Sequence, residues 1–199
     1  NDEVITQPLT FVATGNAISY ANAKCVFLDV DRDTMGLSPR KLRIFLEDNA
    51  RVRGGVVYNK KTNARLAACM PMHTFGFMCR IDEIVEICNQ WKISVVEDAA
   101  EALGSKYKGR SSGSFGLLGA FSFNGNKIIT SGGGGAITTN NIAIGDEAKH
   151  LTTTAKVPHK WEYTHDKLGY NFRLPNLNAA LACAQLEQLD NIKNSKKTI

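Results

Sequence analysis

Short apolar runs alternate with longer amphipathic stretches along most of this chain. The runs predicted as strands are EVIT, CVFLDV, GGVVY, KISVVED, LLGAFSF and AITT. The stretches predicted as helices are FVATGNAISYANA, PRKLRIFLEDN, the run marked by Ile81, Ile84, Val85 and Cys88, and LPNLNAALACAQLEQL. Such alternation indicates βαβ units, whose strands form a mostly parallel sheet covered by helices on both faces. The predicted fold class is therefore α/β, a three-layer αβα sandwich.

Two local signals refine this prediction. Ser38 followed by Pro39 is typical of a helix start, with serine as the N-cap and proline at the first helical position. The segment from Thr152 to Pro175 is long, aromatic and polar, and it has no periodicity. Loops of that length in compact domains are usually functional or disordered. We expect a functional loop here, one that reaches a partner subunit.

The composition excludes several classes of protein. The formal net charge is +5, but acidic residues lie between the basic ones, so a solvated surface is favoured over a nucleic-acid interface. Apolar runs stay well below the roughly 20 residues that span a bilayer. The five cysteines have no two-residue spacing typical of zinc or redox motifs, which predicts no metal site and a reducing, cytoplasmic compartment. Cys25, Cys88 and Cys183 lie in apolar runs and are expected to be buried.

One constellation carries chemistry. Glu97 and Asp98 end a predicted strand, Ser122 lies near the end of another, and Lys127 follows Asp98 by 29 positions (127 − 98) in a glycine-rich bend. Ligands of parallel sheets bind at the carboxyl ends of the strands. Pyridoxal phosphate (PLP) needs a lysine amine for its aldehyde, a carboxylate for its pyridine nitrogen, and donors for its phosphate. Lys127, Asp98 and Ser122 supply one group for each role.

Each of these residues also has an ordinary structural explanation. Most loop lysines are simply exposed, and an aspartate after a strand is most often a helix N-cap. The serine fits a strand, and the glycine run lacks the Gly-Lys-Ser/Thr order of a P-loop. His73, two residues after Pro71, is interpreted as a packing or hydrogen-bonding residue. The order and spacing of the residues taken together favour the cofactor hypothesis.

The segment "VVEDAAEALGSKYKGRSSGSFGLLGAFSFNGNKIITSGGGGAITTNN" resembles the central signature of the DegT/DnrJ/EryC/StrS sugar aminotransferases, enzymes of PLP fold type I. DEVITQPLTFVATGNAISYANA, VFLDVDRDTMGLSP, MPMHTFG and LGYNFRLPNLNAAL are similar to further family segments. With EDAAEALGS and LTTTAKVPH, the chain most resembles the subgroup that aminates a UDP-linked 4-keto-6-deoxy sugar for legionaminic acid-type sugars.

The resemblance implies a role for each matching residue. Lys127 stands at the position of the Schiff-base lysine, Asp98 at the pyridine-nitrogen acid, and Ser122 at the phosphate-binding hydroxyl. Phe11 stands at the aromatic residue that covers the ring, and Asn171 matches the asparagine that reaches the phosphate of a partner subunit in a homodimer. Glu101 departs from the family, which often has His or Gln near the ring at that position.

Family members are about twice as long as this chain. We therefore expect residues 1–199 to be a partial large, cofactor-binding domain, incomplete at both ends and without the small C-terminal domain. The expected activity is transfer of an amino group from an amino acid, with glutamate favoured, to the keto carbon, with C4 favoured, of a nucleotide-linked deoxy-sugar. Such a product serves cell-surface polysaccharide or glycan synthesis.

Two alternatives stay open. The chain could be a truncated fragment or a non-catalytic homologue that folds without turnover. It could also belong to the dehydratase branch of fold type I, but that branch has histidine at the lysine position, and Lys127 argues against it.

Overall fold

The structure is a computed structural model that describes residues 2–197, apart from the side chain of residue 197. The strands are β1 (Glu3–Thr6), β2 (Lys24–Phe27), β3 (Ala50–Arg53), β4 (Val56–Asn59), β5 (Leu66–Met70), β6 (Ser94–Asp98), β7 (Lys106–Tyr107), β8 (Arg110–Ser111), β9 (Leu118–Ser122) and β10 (Gly135–Thr138). The helices are α1 (Val12–Tyr20), α2 (Pro39–Asn49), α3 (Ile81–Gln90), α4 (Ile142–Thr152), α5 (Asn176–Glu187) and α6 (Leu189–Lys197).

The chain divides into two compact units, residues 1–121 and residues 122–199. The sequence predicted one partial domain over residues 1–199, and that assignment stays a prediction. None of the helices within residues 2–197 has both the length and the apolar character needed to cross a bilayer.

A parallel sheet organises the first unit. Its strands lie in the order β9, β6, β5, β1, β2, and every neighbouring pair is parallel. Each strand therefore presents its carboxyl end at the same edge, where Thr6, Met70 and Asp98 lie. This arrangement confirms the predicted α/β class with a mostly parallel sheet.

One face of this sheet packs against α2 and α3. The apolar cluster there draws on β1, β5, β6 and both helices; its members include Ile5, Leu42, Leu46, Cys69, Ile84, Ile87, Cys88 and Val95. Strand residues alternate between faces, so Asp98 of β6 points away from the face to which Val95 belongs. Asp98 contacts α1, whose Ile18 is buried outside this cluster. Helices therefore cover both faces of the sheet, as predicted.

Several elements were missed by the sequence prediction or pair differently from what it indicated. The run LAACM forms β5, near the middle of the sheet, although alanine and cysteine give little strand signal. GGVVY contributes β4, but β4 pairs antiparallel with β3 in a separate hairpin and is not part of the parallel sheet. Helix α4 was also missed.

The second unit contains β10, α4, α5 and α6. Between α4 and α5 the described chain has no helix or strand, which agrees with the predicted long loop. Two isolated antiparallel bridges, Thr153 with Asn171 and Lys156 with His165, bring its two halves together. Cys183 on α5 is exposed, so the prediction that it is buried was wrong; Cys88 is buried and Cys25 is partly so.

The predicted start of α2 is confirmed. Oγ of Ser38 accepts a hydrogen bond from the N–H of Lys41 (3.3 Å), and Pro39 occupies the first helical position. Ser38 is almost fully buried, and its own N–H donates to the carbonyl of Asp29 (3.1 Å).

We predict that Ser38→Ala destabilises the protein by about 1 kcal/mol, because one N–H of the first helical turn loses its acceptor. A lower midpoint of urea unfolding would record the loss. Ser19→Ala, which removes an exposed hydroxyl on α1, is the matched control and should leave the midpoint near that of the parent. Equal midpoints for the parent and Ser38→Ala would contradict the capping role.

Candidate functional site

Asp98 lies at the carboxyl end of β6, and its main chain is held from both sides. Its N–H donates to the carbonyl of Pro71 (2.9 Å), and its carbonyl accepts from the N–H of His73 (3.1 Å). On the other side it pairs in register with Ala120 of β9. The Asp98 backbone is therefore fixed within the sheet edge at which ligands of parallel sheets bind.

Asp98 is partly exposed, and its carboxylate has a defined set of donors. Oγ1 of Thr14 donates to Oδ2 (2.6 Å), and the N–H of Ala100 donates to Oδ1 (3.2 Å). A carboxylate has about four lone-pair positions on its two oxygens. Because only two of these positions are used by the donors named above, the carboxylate of Asp98 can accept a further hydrogen bond from an N–H group of a ligand.

Glu97, the residue before Asp98, has a different environment. Successive strand residues point to opposite faces, and Glu97 is fully buried. Its carboxylate accepts hydrogen bonds from the N–H groups of Gly113 (2.9 Å), Phe115 (2.6 Å) and Gly116 (2.7 Å). Nε2 of His73 lies 3.0 Å from Oε2 of Glu97. Glu97 therefore joins the loop before β9 to the loop after β5.

The protonation of this buried group follows from its partners. Burial opposes ionisation, but hydrogen bonds from His73 and the N–H of Gly116 outweigh it and lower the pKa of Glu97 below its ordinary value. A carboxylate with three N–H donors requires Nε2 of His73 to carry a proton. Nδ1 of His73 then faces Sγ of Cys79 (3.5 Å), a thiol whose pKa is raised by burial. His73 is thus a buried hydrogen-bonding residue, as the sequence analysis expected.

Two further candidates, Glu101 and Phe11, also lie in the first unit. Oε2 of Glu101 accepts from the N–H of Phe75 (2.9 Å), a residue with positive φ (53°) in the 3-10 turn Thr74–Gly76. The hydrogen bond from Phe75 to Glu101 therefore stabilises a strained turn. Phe11 is the N-cap residue of α1, and the residue is 65% exposed, so its ring is available to contact a ligand.

Ser122 and Lys127 are connected through Asn124 in the second unit. The N–H of Asn124 donates to Oγ of Ser122 (3.3 Å), and the N–H of Lys127 donates to the carbonyl of Asn124 (3.1 Å). The same turn is closed at its base, because the carbonyl of Phe123 accepts from the N–H of Ser131 (3.0 Å). Ser122 and Lys127 are therefore placed by one short turn of the chain.

Helix α5 anchors the segment that follows Lys127. Oε1 of Gln185 accepts from the N–H of Thr130 (2.8 Å), and Nδ2 of Asn178 donates to the carbonyl of Ser131. Asn178 and Gln185 are seven positions apart, about two helical turns, so they lie on the same side of α5. Sequence analysis missed both residues, because a polar side chain on a helix gives no sign of what it contacts.

Asn171 is exposed at the end of the long loop. Its Oδ1 accepts from Nε of Arg173 (2.9 Å), and its main chain pairs with Thr153. The side chains of Arg173 and Asn171 are therefore in direct contact. Within residues 2–197 no group of three or more His, Cys, Asp or Glu side chains is arranged to hold a metal ion.

The chain matches the DegT/DnrJ/EryC1/StrS aminotransferase family over residues 1–199. EpsN of Bacillus subtilis (strain 168), whose name assigns it a pyridoxal phosphate-dependent aminotransferase activity, is 41% identical over 198 residues, covering 100% of this chain and 48% of EpsN. GDP-perosamine synthase of Escherichia coli O157:H7 is 38% identical over 198 residues, covering 100% of this chain and 50% of the relative. The chain thus spans about half the length of the curated relatives it matches.

Solved structures agree with this match. Helicobacter pylori PseC, an aminotransferase involved in the biosynthesis of pseudoaminic acid, superposes with a TM-score of 0.82 at 26% identity, over 95% of this chain and 47% of PseC. The aminotransferase from Psychrobacter cryohalolentis gives a TM-score of 0.81 at 30% identity, over 96% of this chain and 47% of that protein.

The Glu97 network generates a stability prediction. The folded pKa of Glu97 lies below its unfolded value, so its contribution is present above the unfolded pKa and is lost as pH falls through the folded pKa. We expect Glu97→Gln to cost about 1.5 to 3 kcal/mol at neutral pH, because the donors around it lose a charged acceptor. As the pH falls below about 4.5, we also expect the free energy of unfolding to decrease less in the variant than in the parent.

Urea unfolding measured from neutral to acid pH tests both parts. Glu86→Gln, which changes an exposed glutamate on α3, is the control and should follow the parent curve. If the stability of the parent and of Glu97→Gln decreased equally with falling pH, Glu97 would not contribute to acid sensitivity.

Proposed function

Because the chain belongs to the DegT/DnrJ/EryC1/StrS aminotransferase family, we propose that the protein carrying it is a PLP-dependent sugar aminotransferase. The supporting structural observation is the Asp98 carboxylate. It lies at the ligand-binding edge of a parallel sheet, is held by donors on both oxygens, and is still partly exposed. A ring N–H is the kind of donor that its remaining lone pairs can take.

The available groups fit this cofactor. Asp98 supplies an acceptor for the pyridine N–H, Ser122 supplies a hydroxyl donor for the phosphate, and Lys127 supplies a primary amine for the aldehyde. Phe11 supplies an exposed aromatic face for the ring. Glu101 is close in sequence to Asp98, but its carboxylate holds the N–H of Phe75, so we assign it to the site as a residue that shapes the cofactor pocket.

When bound, PLP supplies an electron sink for the charge that develops at the α-carbon of the amino acid. The protein residues then have separable tasks. Asp98 keeps a proton on the ring nitrogen by accepting its hydrogen bond. Nζ of Lys127 takes a proton from the α-carbon and later delivers it, which is general acid–base catalysis by a positioned amine. Phe11 limits the access of water to one face of the ring.

The finer assignments follow from the resemblance of EDAAEALGS and LTTTAKVPH to the legionaminic acid-type subgroup. We propose glutamate as the amino donor and C4 of a nucleotide-linked 4-keto-6-deoxy sugar as the acceptor carbon. We further propose that the active form is a cytoplasmic homodimer in which Asn171 reaches the phosphate of the partner's cofactor. The exposure of Asn171 and its orientation by Arg173 support that role.

The competing proposal is a non-catalytic homologue or a fragment without turnover. The half-length coverage of the relatives is the observation that favours it. An absorbance spectrum identifies a fragment that binds no cofactor, because such a protein is colourless, whereas cofactor bonded to a protein lysine absorbs visible light. Amino transfer from glutamate to UDP- and GDP-linked 4-keto-6-deoxy sugars, followed by mass spectrometry of the sugar nucleotide, tests the activity itself.

We predict that Lys127→Ala abolishes covalent attachment of the cofactor, because the amine that bonds the aldehyde is removed. Borohydride reduction followed by peptide mass mapping should place the cofactor on Lys127 in the parent protein. Lys149→Ala, a substitution in the last turn of α4, is the control and should retain attachment. Cofactor mapped to another lysine would overturn the assignment.

We predict that Asp98→Asn lowers the rate of amino transfer far more than it lowers cofactor affinity. An amide cannot keep the ring nitrogen protonated, and we expect a loss of about 10³-fold or more, each tenfold being about 1.4 kcal/mol of barrier. Single-turnover kinetics and a cofactor titration separate the two quantities. Asp146→Asn on α4 is the control, and near-parental transfer by Asp98→Asn would contradict the proposed role.

A further inference from the structure

Two threonine hydroxyls connect helix α1 to Asp98. Oγ1 of Thr14 donates to Oδ2 of Asp98 (2.6 Å), and Oγ1 of Thr10 lies 2.6 Å from Oγ1 of Thr14. Thr14 is in the first turn of α1, and Thr10 lies just before the N-cap residue Phe11. Thr14 is only 4% exposed, so its hydroxyl is shielded from competing water.

The hydroxyl protons can be assigned from their number. Each threonine has one O–H proton to donate. When Thr14 gives its proton to Asp98, its oxygen can act only as an acceptor toward Thr10, so Thr10 donates to Thr14. The other neighbour of Thr10 is Sδ of Met72 (2.9 Å), and a thioether is a weak acceptor. The favoured arrangement therefore has Thr10 donating to the oxygen of Thr14 and Thr14 donating to the carboxylate of Asp98, because both oxygens are stronger acceptors than the thioether.

This chain of donors also fixes the orientation of the carboxylate. The N–H of Ala100 donates to Oδ1, and Thr14 donates to Oδ2, so each oxygen has its own donor from a different element. The Asp98 backbone is already fixed by Pro71 and His73. Rotation of the carboxyl group would break the bond to Thr14, the shorter of the two.

We propose that Thr14, supported by Thr10, is a positioning residue that holds the Asp98 carboxylate in its acceptor state and in one orientation. The inference rests on the proposed function, in which Asp98 faces the pyridine nitrogen. A hydrogen bond donated by Thr14 stabilises the ionised form of the Asp98 carboxylate, so it opposes transfer of the ring proton to Asp98. Thr14 acts through Asp98 and does not itself touch the reacting atoms.

Three variants of the intact protein carrying this chain test the proposal. Thr14→Val keeps the shape of the side chain and removes the hydroxyl, whereas Thr14→Ser keeps the hydroxyl. Thr6→Val is the matched control, because Thr6 is fully buried and its hydroxyl donates to the carbonyl of Met70 (2.8 Å), not to Asp98. Each variant is loaded with PLP labelled with ¹⁵N in the ring.

For Thr14→Val we expect amino transfer to fall about 10- to 100-fold, the range for losing a hydrogen bond to a charged group. We also expect the ring ¹⁵N signal to move toward the unprotonated position, while cofactor affinity changes little. Thr14→Ser should restore the rate and the signal, and Thr6→Val should match the parent in both. In cofactor-free protein, the side-chain carboxyl ¹³C signal of Asp98 should move in Thr14→Val alone.

The possible outcomes are distinguishable. A Thr14→Val protein with the parental rate and parental ¹⁵N signal overturns the positioning role and leaves the proposed function intact. An equal loss in Thr6→Val, or no rescue by serine, shows that the effect is general destabilisation and overturns the role as well. A parent protein that binds no PLP overturns the proposed function together with this inference. If valine prevents folding, the ¹⁵N signal of Thr10→Val decides, because that variant removes the donor to Thr14.

Discussion

The alternation of side chains at the end of β6 is the constraint on which the candidate site depends. Glu97 and Asp98 are adjacent, yet a strand directs them to opposite faces. Glu97 is buried, and its carboxylate accepts hydrogen bonds from three backbone N–H groups and from His73. These bonds connect the loops on either side of β6. Asp98 points to the other face, toward α1, where its carboxylate is partly exposed. One carboxylate therefore stabilises the sheet edge, and the other stays partly exposed there.

Within each unit, short-range contacts hold the candidate residues. In the first unit the hydroxyl of Thr14 reaches Asp98. In the second unit Asn124 links Ser122 to Lys127. These contacts hold the carboxylate of Asp98, the hydroxyl of Ser122 and the main chain at Lys127. Such supporting contacts fix the geometry of a site.

Much of the fold could be predicted because local patterns and burial agree in these segments. EVIT, KISVVED and the Ser38-Pro39 start appear where the sequence placed them. Prediction failed where tertiary context decided the outcome. LAACM forms a strand because neighbours on both sides pair with it, and GGVVY pairs with β3 in a hairpin that periodicity could not specify. Cys183 looks buried in its apolar run, but helix α5 exposes it.

The sequence by itself determined the α/β class and, through its motifs, the family and the candidate residues Asp98, Ser122 and Lys127. These depend on residue type, order and spacing, which the chain carries directly. Only the tertiary structure decided that Glu97 is buried while Asp98 is presented, and that Thr14 serves Asp98 as a donor. Thr14 and Asp98 are 84 positions apart, so no local pattern can pair them. Their contact exists because a parallel sheet brings the ends of distant strands, and the helices that follow them, to one edge.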